Sequence, residues 1–166
     1  MNIVSLFSGC GGLDLGFTGG FTFQGRNYER LNTDIVFAND FDIDASTCYN
    51  ANPMLINEGV ECLLEDIRNI NAENIPNFDI LLAGFPCQPF SNAGNRKGVN
   101  DANGRGTLFE ECERIIEAKI AVGHRPKAFV FENVRGILSS KMSDGITTVP
   151  EEITQRMHKL GYNVSM

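Results

Sequence analysis

Cys87 lies in the segment Gly84-Phe85-Pro86-Cys87-Gln88-Pro89-Phe90-Ser91, with proline directly before it and again two residues after. Structural cysteines favour the interiors of helices and strands. A thiol held by prolines in a loop reads instead as a nucleophile. That role needs exposure, a fixed direction and a lowered pKa, of which such a loop supplies the first two. Cys10, Cys48, Cys62 and Cys112 read as packing or turn residues. Glu132, in Phe131-Glu132-Asn133-Val134, directly follows an apolar run. A carboxyl group on the end of a buried strand is costly without a partner or a task. Glu132 is therefore a candidate proton donor or acceptor, or equally a strand-end carboxylate tied to backbone N–H groups. Near the N-terminus, Phe7-Ser8-Gly9-Cys10-Gly11-Gly12 follows the first apolar run. Glycines there let the backbone approach a ligand and aim N–H groups at it, although a plain tight turn is the other reading. Position 14 is Asp, where a dinucleotide-binding GxGxxG fingerprint has its third glycine. A carboxylate or amino-acid moiety therefore suits this turn better than a pyrophosphate.

Three more positions carry chemistry. Asp40-Phe41 follows the second apolar run, where an acidic residue accepts ribose hydroxyls and an aromatic stacks on a base; a solvated Asp beside a core Phe is the alternative. Asp66, before Ile67, is either an acceptor for an exocyclic amino group or a turn or helix cap. His124 and His158 fall outside this set and read as surface residues, which leaves no Cys–His dyad.

These residues require elements to position them. Ile3–Phe7, Asp34–Ala38, Phe78–Ala83 and Ala128–Phe131 read as short buried strands, with a weaker strand near Val60–Leu64. Helices are expected after Leu13, over Asp44–Asn52 before Pro53, over Thr107–Ile120 with Leu108, Cys112, Ile115, Ile116 and Ile120 on one face, and over Glu151–Leu160. Gln24–Asn32 reads as an inserted loop. Gly84–Gly106 holds seven Gly or Pro residues, and a loop of that length is usually functional. Tyr162–Met166 reads as the start of a sixth strand. The alternation predicts an α/β fold with a doubly wound, mostly parallel sheet, in which ligands sit beyond the carboxyl ends of the strands. Every chemical feature above falls on that edge.

The 166 residues carry 14 Lys+Arg against 21 Asp+Glu, a formal charge of −7. Tight DNA binding is largely cationic, so this balance argues against strong DNA binding by the chain alone. The length fits one domain. No run of 18 apolar residues exists, so no membrane-spanning helix is expected, and a cytoplasmic location follows. Five cysteines at irregular spacing, with no CxxC, argue against a disulfide framework or a zinc site.

Taken together, Phe7–Phe17 (FSGCGGLDLGF), Gly84–Gly94 (GFPCQPFSNAG), Arg105–Phe109 (RGTLF) and Phe131–Gly136 (FENVRG) resemble the DNA (cytosine-5)-methyltransferase family in order and spacing. The resemblance implies a Rossmann-like methyltransferase fold using S-adenosyl-L-methionine, in a restriction-modification setting. Cys87 would attack C6 of a cytosine flipped out of double-stranded DNA, and Glu132 would protonate the ring at N3. Phe7, Gly9, Cys10, Gly11 and Gly12 would line the methionine end of the cofactor. Asp40, where many members carry Glu, would hold the ribose. Phe41 would stack on adenine, and Asp66 with Ile67 would meet its edge. Gly84, Pro86 and Leu108 would complete the pocket, while Gln88, Ser91 and Asn133 would contact the target nucleotide.

Family members also carry a Gln-x-Arg-x-Arg motif, a target-recognition domain and a C-terminal segment, none of which occurs within residues 1–166. The expectation is therefore that 1–166 form the N-terminal, cofactor-binding and catalytic part of the domain. Its partners would be DNA, together with a complementing C-terminal part or a second copy paired through an open sheet edge. Two rivals stand beside this. One is a catalytically incomplete fragment or split subunit acting as a cofactor-binding or docking module. The other is a nicotinamide-dependent enzyme, disfavoured by the absent third glycine and the Pro-Cys loop.

Overall fold

The computed structural model describes residues 1–55, 59–86, 108–142 and 144–166. Two compact units are distinguished, one of Met1–Gly84 with Ala118–Phe131, the other of Phe85–Glu117 with Glu132–Met166.

The first unit holds a five-stranded parallel sheet. Its strands are β1 (Asn2–Leu6), β4 (Asp34–Asp40), β5 (Cys62–Leu64), β6 (Ile80–Ala83) and β7 (Ala128–Phe131), in the spatial order β5-β4-β1-β6-β7. Ile3, Val4 and Leu6 of β1 and Leu81, Leu82 and Ala83 of β6 are fully buried. Strands covered on both faces need such continuous apolar runs rather than an alternation. The register aligns the strand ends: Leu6 faces Asn39 on one side and Ala83 on the other, and Asp40 faces Leu64. The order reverses at β1, so the first turn of the chain stands at the switch point where such sheets take ligands.

Helix α1 (Gly12–Thr18) starts from Gly11 in the left-handed region at φ 81° and stops at Gly19, φ 66°. Helix α2 (Ile43–Asn50) starts where the Asp42 carboxylate accepts from the Asp44 and Ala45 N–H groups, both at 2.9 Å, a standard N-cap. At the other end of α2, the Asn50 side chain brackets the edge strand. It accepts from Cys62 N at 2.7 Å and donates to Cys62 O at 3.2 Å. Tyr49, Ile3, Ile35, Ala38, Leu55, Cys62, Ile80 and Leu82 form one apolar cluster, with Leu13, Leu15 and Phe17 of α1 packed against it.

Helix α3 (Phe109–Ala121) buries Phe109, Cys112, Ile115 and Ile116. The expected face holds at its centre, but Leu108 and Ile120 are only half-buried. Lys119 is buried as well, because its ammonium donates to the Ile75 carbonyl. In the second unit, α4 (Val149–Lys159) begins two residues earlier than expected. Thr148 and Glu151 form a reciprocal capping box, with Pro150 in the first turn.

Three expectations need correction. The stretch read as a loop over 24–32 contains most of a hairpin, β2 (Phe21–Phe23) with β3 (Arg26–Tyr28). Phe21 stacks on Tyr28 at 4.9 Å, and the Arg26 guanidinium lies 5.1 Å from the Tyr28 ring centroid. The Gln24-Gly25 turn, with both residues at positive φ, closes it. Tyr162–Met166 forms no strand, so the reading of an unfinished sixth strand loses its premise. Finally, β7 is exposed to half-buried along its length rather than buried. Most of the expected loop 84–106 lies outside the described residues.

Candidate cofactor turn and catalytic segments

The turn after β1 is held from both sides. Gly9 N donates to Asp40 Oδ2 at 2.8 Å, while Asp42 N donates to Asp40 Oδ1 at 2.9 Å. One carboxylate at the end of β4 thus fixes the glycine turn and the entry to α2. Each Asp40 oxygen keeps a second lone pair for an incoming hydroxyl. Asp40 is 9% exposed and the adjoining Phe41 is 63% exposed, so the polar end is sheltered and the ring face open.

The glycines divide by role. A Cβ on Gly9 or Gly12 would meet nothing within 4 Å. These two leave open space beside the backbone, as a close-approaching ligand needs. A Cβ on Gly11 would run into Leu55 and stand 3.0 Å from the Tyr49 ring. Packing against Leu55 and Tyr49 is by itself enough to require glycine at position 11. Phe7, at φ 54°, shares the left-handed conformation of this turn without being glycine.

Beneath the turn lies a buried polar network. Ser5 Oγ donates to Asp14 Oδ1 at 2.7 Å, Tyr49 Oη donates to Asp14 Oδ2 at 2.8 Å, and Ser8 Oγ stands 3.0 Å from Ser5 Oγ. Ser8 N donates to Asn39 O at 3.0 Å, and the Asn39 amide reaches Leu63 O and Glu65 O. Asp14 is wholly buried. Burial pushes its pKa up, and the two hydroxyl donors pull it back. Sequence reasoning used Asp14 only as an absent glycine. The available signal was polar Ser5, Asp14 and Asn39 inside otherwise apolar strand and helix patterns.

Asp66 takes the cap role, the second of the two alternatives offered for it. It caps a single turn of 3-10 helix, Ile67–Asn69, by accepting from Arg68 N at 3.0 Å. The Arg68 guanidinium also grips both of its oxygens, at 2.5–3.1 Å, and holds its carboxyl below the usual range. Ile67 is buried and Gly84 is half-buried at the end of β6, where its N–H donates to Leu6 O at 3.4 Å. Cys10 and Cys48 are exposed, whereas Cys62 and Cys112 are buried. The neighbouring Cys48 thiol first, then desolvation and the carboxylates of Asp40 and Asp42, raise the Cys10 pKa. His124 is no loose surface residue, since its Nε2 lies 2.8 Å from Phe78 O; His158 is exposed.

In the second unit, Asn133 Nδ2 donates to Phe85 O at 3.0 Å, and its Oδ1 accepts from Val134 N at 3.0 Å. This ties the residue after Glu132 to the base of the Pro86-Cys87 segment. Pro86 is half-buried and Phe85 is buried. Cys87, Gln88 and Ser91 lie outside the described residues. Glu132 is exposed, so the burial cost argued for it does not arise, because the strand it follows is itself only half-covered. Leu108 is half-buried just ahead of α3, whose first turns are anchored by Arg156. The guanidinium reaches Glu113 at 2.7 Å, Glu152 at 2.7 Å and Glu110 at 2.9 Å, and lies 5.3 Å from the Phe109 ring centroid. Among the described residues no three potential ligands converge to hold a metal, and no helix is long and apolar enough to cross a membrane.

The family model for C-5 cytosine-specific DNA methylase matches residues 1–166. The Type II methyltransferase M.HgiCI of Herpetosiphon aurantiacus is 40% identical over 164 residues, covering 99% of this chain and 33% of that protein. The Type II methyltransferase M.Bsp6I of a Bacillus strain is 36% identical over 166 residues, covering 99% of this chain and 45% of its own length. The chain thus spans between about a third and a half of the curated relatives it matches. Among solved structures, the Schizosaccharomyces pombe Dnmt2 methyltransferase superposes with a TM-score of 0.58 at 23% identity, over 93% of this chain and 41% of that one, a likeness of fold.

Proposed function

From the premise that the chain belongs to the C-5 cytosine-specific DNA methylase family, we propose that residues 1–166 supply the cofactor-binding and catalytic part of a restriction-modification enzyme that transfers a methyl group from S-adenosyl-L-methionine to C5 of cytosine in DNA. The observation that carries the cofactor half is the Gly9–Asp40 clamp. It presents an open glycine backbone, a sheltered carboxylate with free lone pairs and an exposed ring at the switch point of a parallel sheet. These residues fit a ligand with an amino-acid end, a ribose and a purine. Gly9 and Gly12 would admit the amino-acid end, Asp40 would accept the ribose hydroxyls, and Phe41 would cover a purine face. The carboxylate of Asp66 would accept from the purine amino group, with its orientation fixed by Arg68.

When bound, the cofactor supplies an electrophilic methyl group on a sulfonium. The remaining chemistry belongs to the chain. The Cys87 thiolate would add to C6 of a flipped cytosine, which turns C5 into a carbon nucleophile. Glu132 would hold a proton at N3, neutralising the charge that this addition places on the ring. Loss of the C5 proton then expels the thiolate. General-acid assistance of this kind contributes typically about 10²–10⁴-fold. Asn133, bonded to Phe85 O, would set the height of the cysteine segment.

The deciding experiment is a calorimetric titration of the chain with S-adenosyl-L-methionine, with NAD as control. It is followed by a methyl-incorporation assay on duplex DNA after mixing with the C-terminal part of a relative. Selective binding of the methionine cofactor, and incorporation that Cys87→Ala abolishes, are expected. Binding of NAD instead, or incorporation surviving Cys87→Ala, would overturn the proposal.

A further inference from the structure

The hairpin of β2 and β3 takes no part in the proposed chemistry. It joins the end of α1 to the start of β4, so it stands at the amino edge of the sheet, away from the glycine turn. Its base is firmly held. The Arg30 guanidinium donates to Thr18 O at 3.0 Å and pairs with Asp34 Oδ1 at 2.9 Å, and Gly20 N donates to Tyr28 O at 2.9 Å. The register pairs Phe21 with Tyr28, Thr22 with Asn27 and Phe23 with Arg26. Paired residues share a face. Phe21, Phe23, Arg26 and Tyr28 therefore form one face, and Thr22 with Asn27 the other, where Thr22 Oγ1 donates to Asn27 Oδ1 at 3.3 Å. The aromatic face is uncovered, with Phe23 59% exposed and Tyr28 36% exposed. Among the described residues no strand pairs with the outer edge of β3. That strand is exposed along its whole length, whereas Phe21 of β2 is half-buried. A two-stranded ribbon is marginal by itself and gains from further strands, and an open edge is a template for one.

Charge and register select the strand that fits this edge. Residues 21–28 hold one cation, Arg26, and no acidic residue, in a chain of formal charge −7. Two copies of the chain therefore repel each other least at this strip. We propose that β3 pairs antiparallel with β3 of a second copy, about a twofold axis at Asn27, in a reversible dimer. A twofold axis normal to a sheet preserves the faces of both strands, so one residue must meet itself. Centring on Arg26 would set two cations against each other. Centring on Tyr28 would set Arg26 against the partner's Arg30. Centring on Asn27 sets Arg26 opposite the partner's Tyr28, twice. Arg26 already lies 5.1 Å from the centroid of its own Tyr28 ring, so each guanidinium gains a second aromatic neighbour. Across the four strands the rows then read Phe23, Arg26, Tyr28, Phe21 and the reverse, one continuous aromatic face. The strand contact is one three-residue edge per copy. That is well short of the roughly 800 Å² a side of a standard interface, so the dimer is weak. It leaves the glycine turn at the other edge open, and it stands independently of the methyl-transfer reading.

The test is sedimentation of the chain under reductant, from about 5 to about 500 μM, at about 150 mM salt to screen the repulsion between copies. A reversible monomer–dimer equilibrium is expected, with a dissociation constant on the order of 100 μM. Tyr28→Ser and Arg26→Glu should each weaken it at least ten-fold. A chain that stays monomeric throughout, or a dimer that both variants leave unchanged, overturns the proposal. A monomer whose hairpin instead binds a labelled single-stranded oligonucleotide or an acidic peptide hands the face to an anionic partner and equally overturns it. A second measurement reads the register. Asn27→Cys is oxidised mildly at high concentration and digested without reductant. A disulfide joining position 27 of two copies is expected, because directly opposed strand residues meet the spacing that the bond requires. Thr22→Cys, one strand further from the axis, should form none. Linkage at position 22 as readily as at 27, or none at 27 in a chain that sediments as a dimer, overturns the proposed pairing.

Discussion

At the scale of single residues, the turn rests on the buried carboxylate of Asp14. Among the described residues the Ser5 and Tyr49 hydroxyls compensate for the water it has lost. Tyr49→Phe removes one of the two and leaves a buried oxygen short of a donor, at a cost of roughly 1–3 kcal/mol. The sign with pH follows from the raised pKa. The fold binds the Asp14 proton more tightly than the unfolded chain does. The site therefore favours folding most at or below its ordinary value of 3.8 and loses that contribution as pH rises through the raised value. Removing the Tyr49 hydroxyl raises the pKa further. The urea midpoint of Tyr49→Phe should fall below that of the parent at pH 7, and the gap should narrow toward pH 4. A gap that is constant with pH would mean that the hydroxyl acts through packing alone.

At the scale of elements, the turn between β1 and α1 separates packing from ligand space. Gly11→Ala places a Cβ against Leu55 and Tyr49 at φ 81°, and overpacking and the left-handed backbone each cost on the order of 1–3 kcal/mol. Gly12→Ala meets nothing within 4 Å and sits at the first residue of α1, so stability should hold or improve by up to about 1 kcal/mol. If the open space receives the cofactor, however, Gly12→Ala should weaken S-adenosyl-L-methionine binding at least ten-fold. Denaturation midpoints and calorimetry on both variants distinguish these outcomes, and normal binding by Gly12→Ala would exclude that face. The sequence showed four of the five parallel strands clearly, because β1 and β6, buried on both faces, write themselves as apolar runs, and β4 and β7 carry apolar runs although less fully covered. It also placed Asp40, Asp66 and the glycine turn at the carboxyl ends of their strands, since each follows such a run. The hairpin at Phe21–Tyr28 was not legible, because an exposed two-stranded ribbon buries no face and leaves no apolar pattern. The start of α4 was placed two residues late, although Thr148 and Glu151 have the spacing of a capping box. The Ser5–Asp14–Tyr49 network was not, because it joins residues 9 and 35 positions apart.

At the scale of the whole molecule, charge dictates behaviour. A chain of formal charge −7 repels phosphate, so the isolated chain should bind duplex DNA at physiological salt no more tightly than the weak end of the non-specific range, about 10⁻⁴ M. Fluorescence anisotropy with labelled duplex tests this, and micromolar binding would contradict it. Acid acts through particular carboxylates. Asp79 accepts from Asn2 N at 2.9 Å and pairs with Lys127 Nζ at 2.7 Å, joining the start of β1 to the approach to β7 on either side of β6. The Lys127 ammonium first, and then the Asn2 N–H, hold its carboxyl below the usual range. Asp66, Asp144 and Glu151 are lowered for related reasons: Arg68, the Thr147 hydroxyl and the Thr148 N–H are their respective main donors. A lowered folded pKa means that the unfolded chain binds the proton first. These groups therefore contribute fully above their ordinary values, 3.8 for Asp and 4.5 for Glu, and lose that contribution as pH falls through the lowered ones. Among the described carboxylates with shifted values, Asp14 runs the other way, so the four outweigh the one in direction. The urea midpoint should hold from pH 7 to about 4.5 and then decline steadily below it. Asp79→Asn keeps an oxygen for Asn2 N but carries no charge to titrate. Its midpoint at pH 7 should be lower than that of the parent, and its decline below pH 4.5 shallower. The two curves converge at low pH if Asp79 is a source of the acid lability, and stay parallel throughout if it is not.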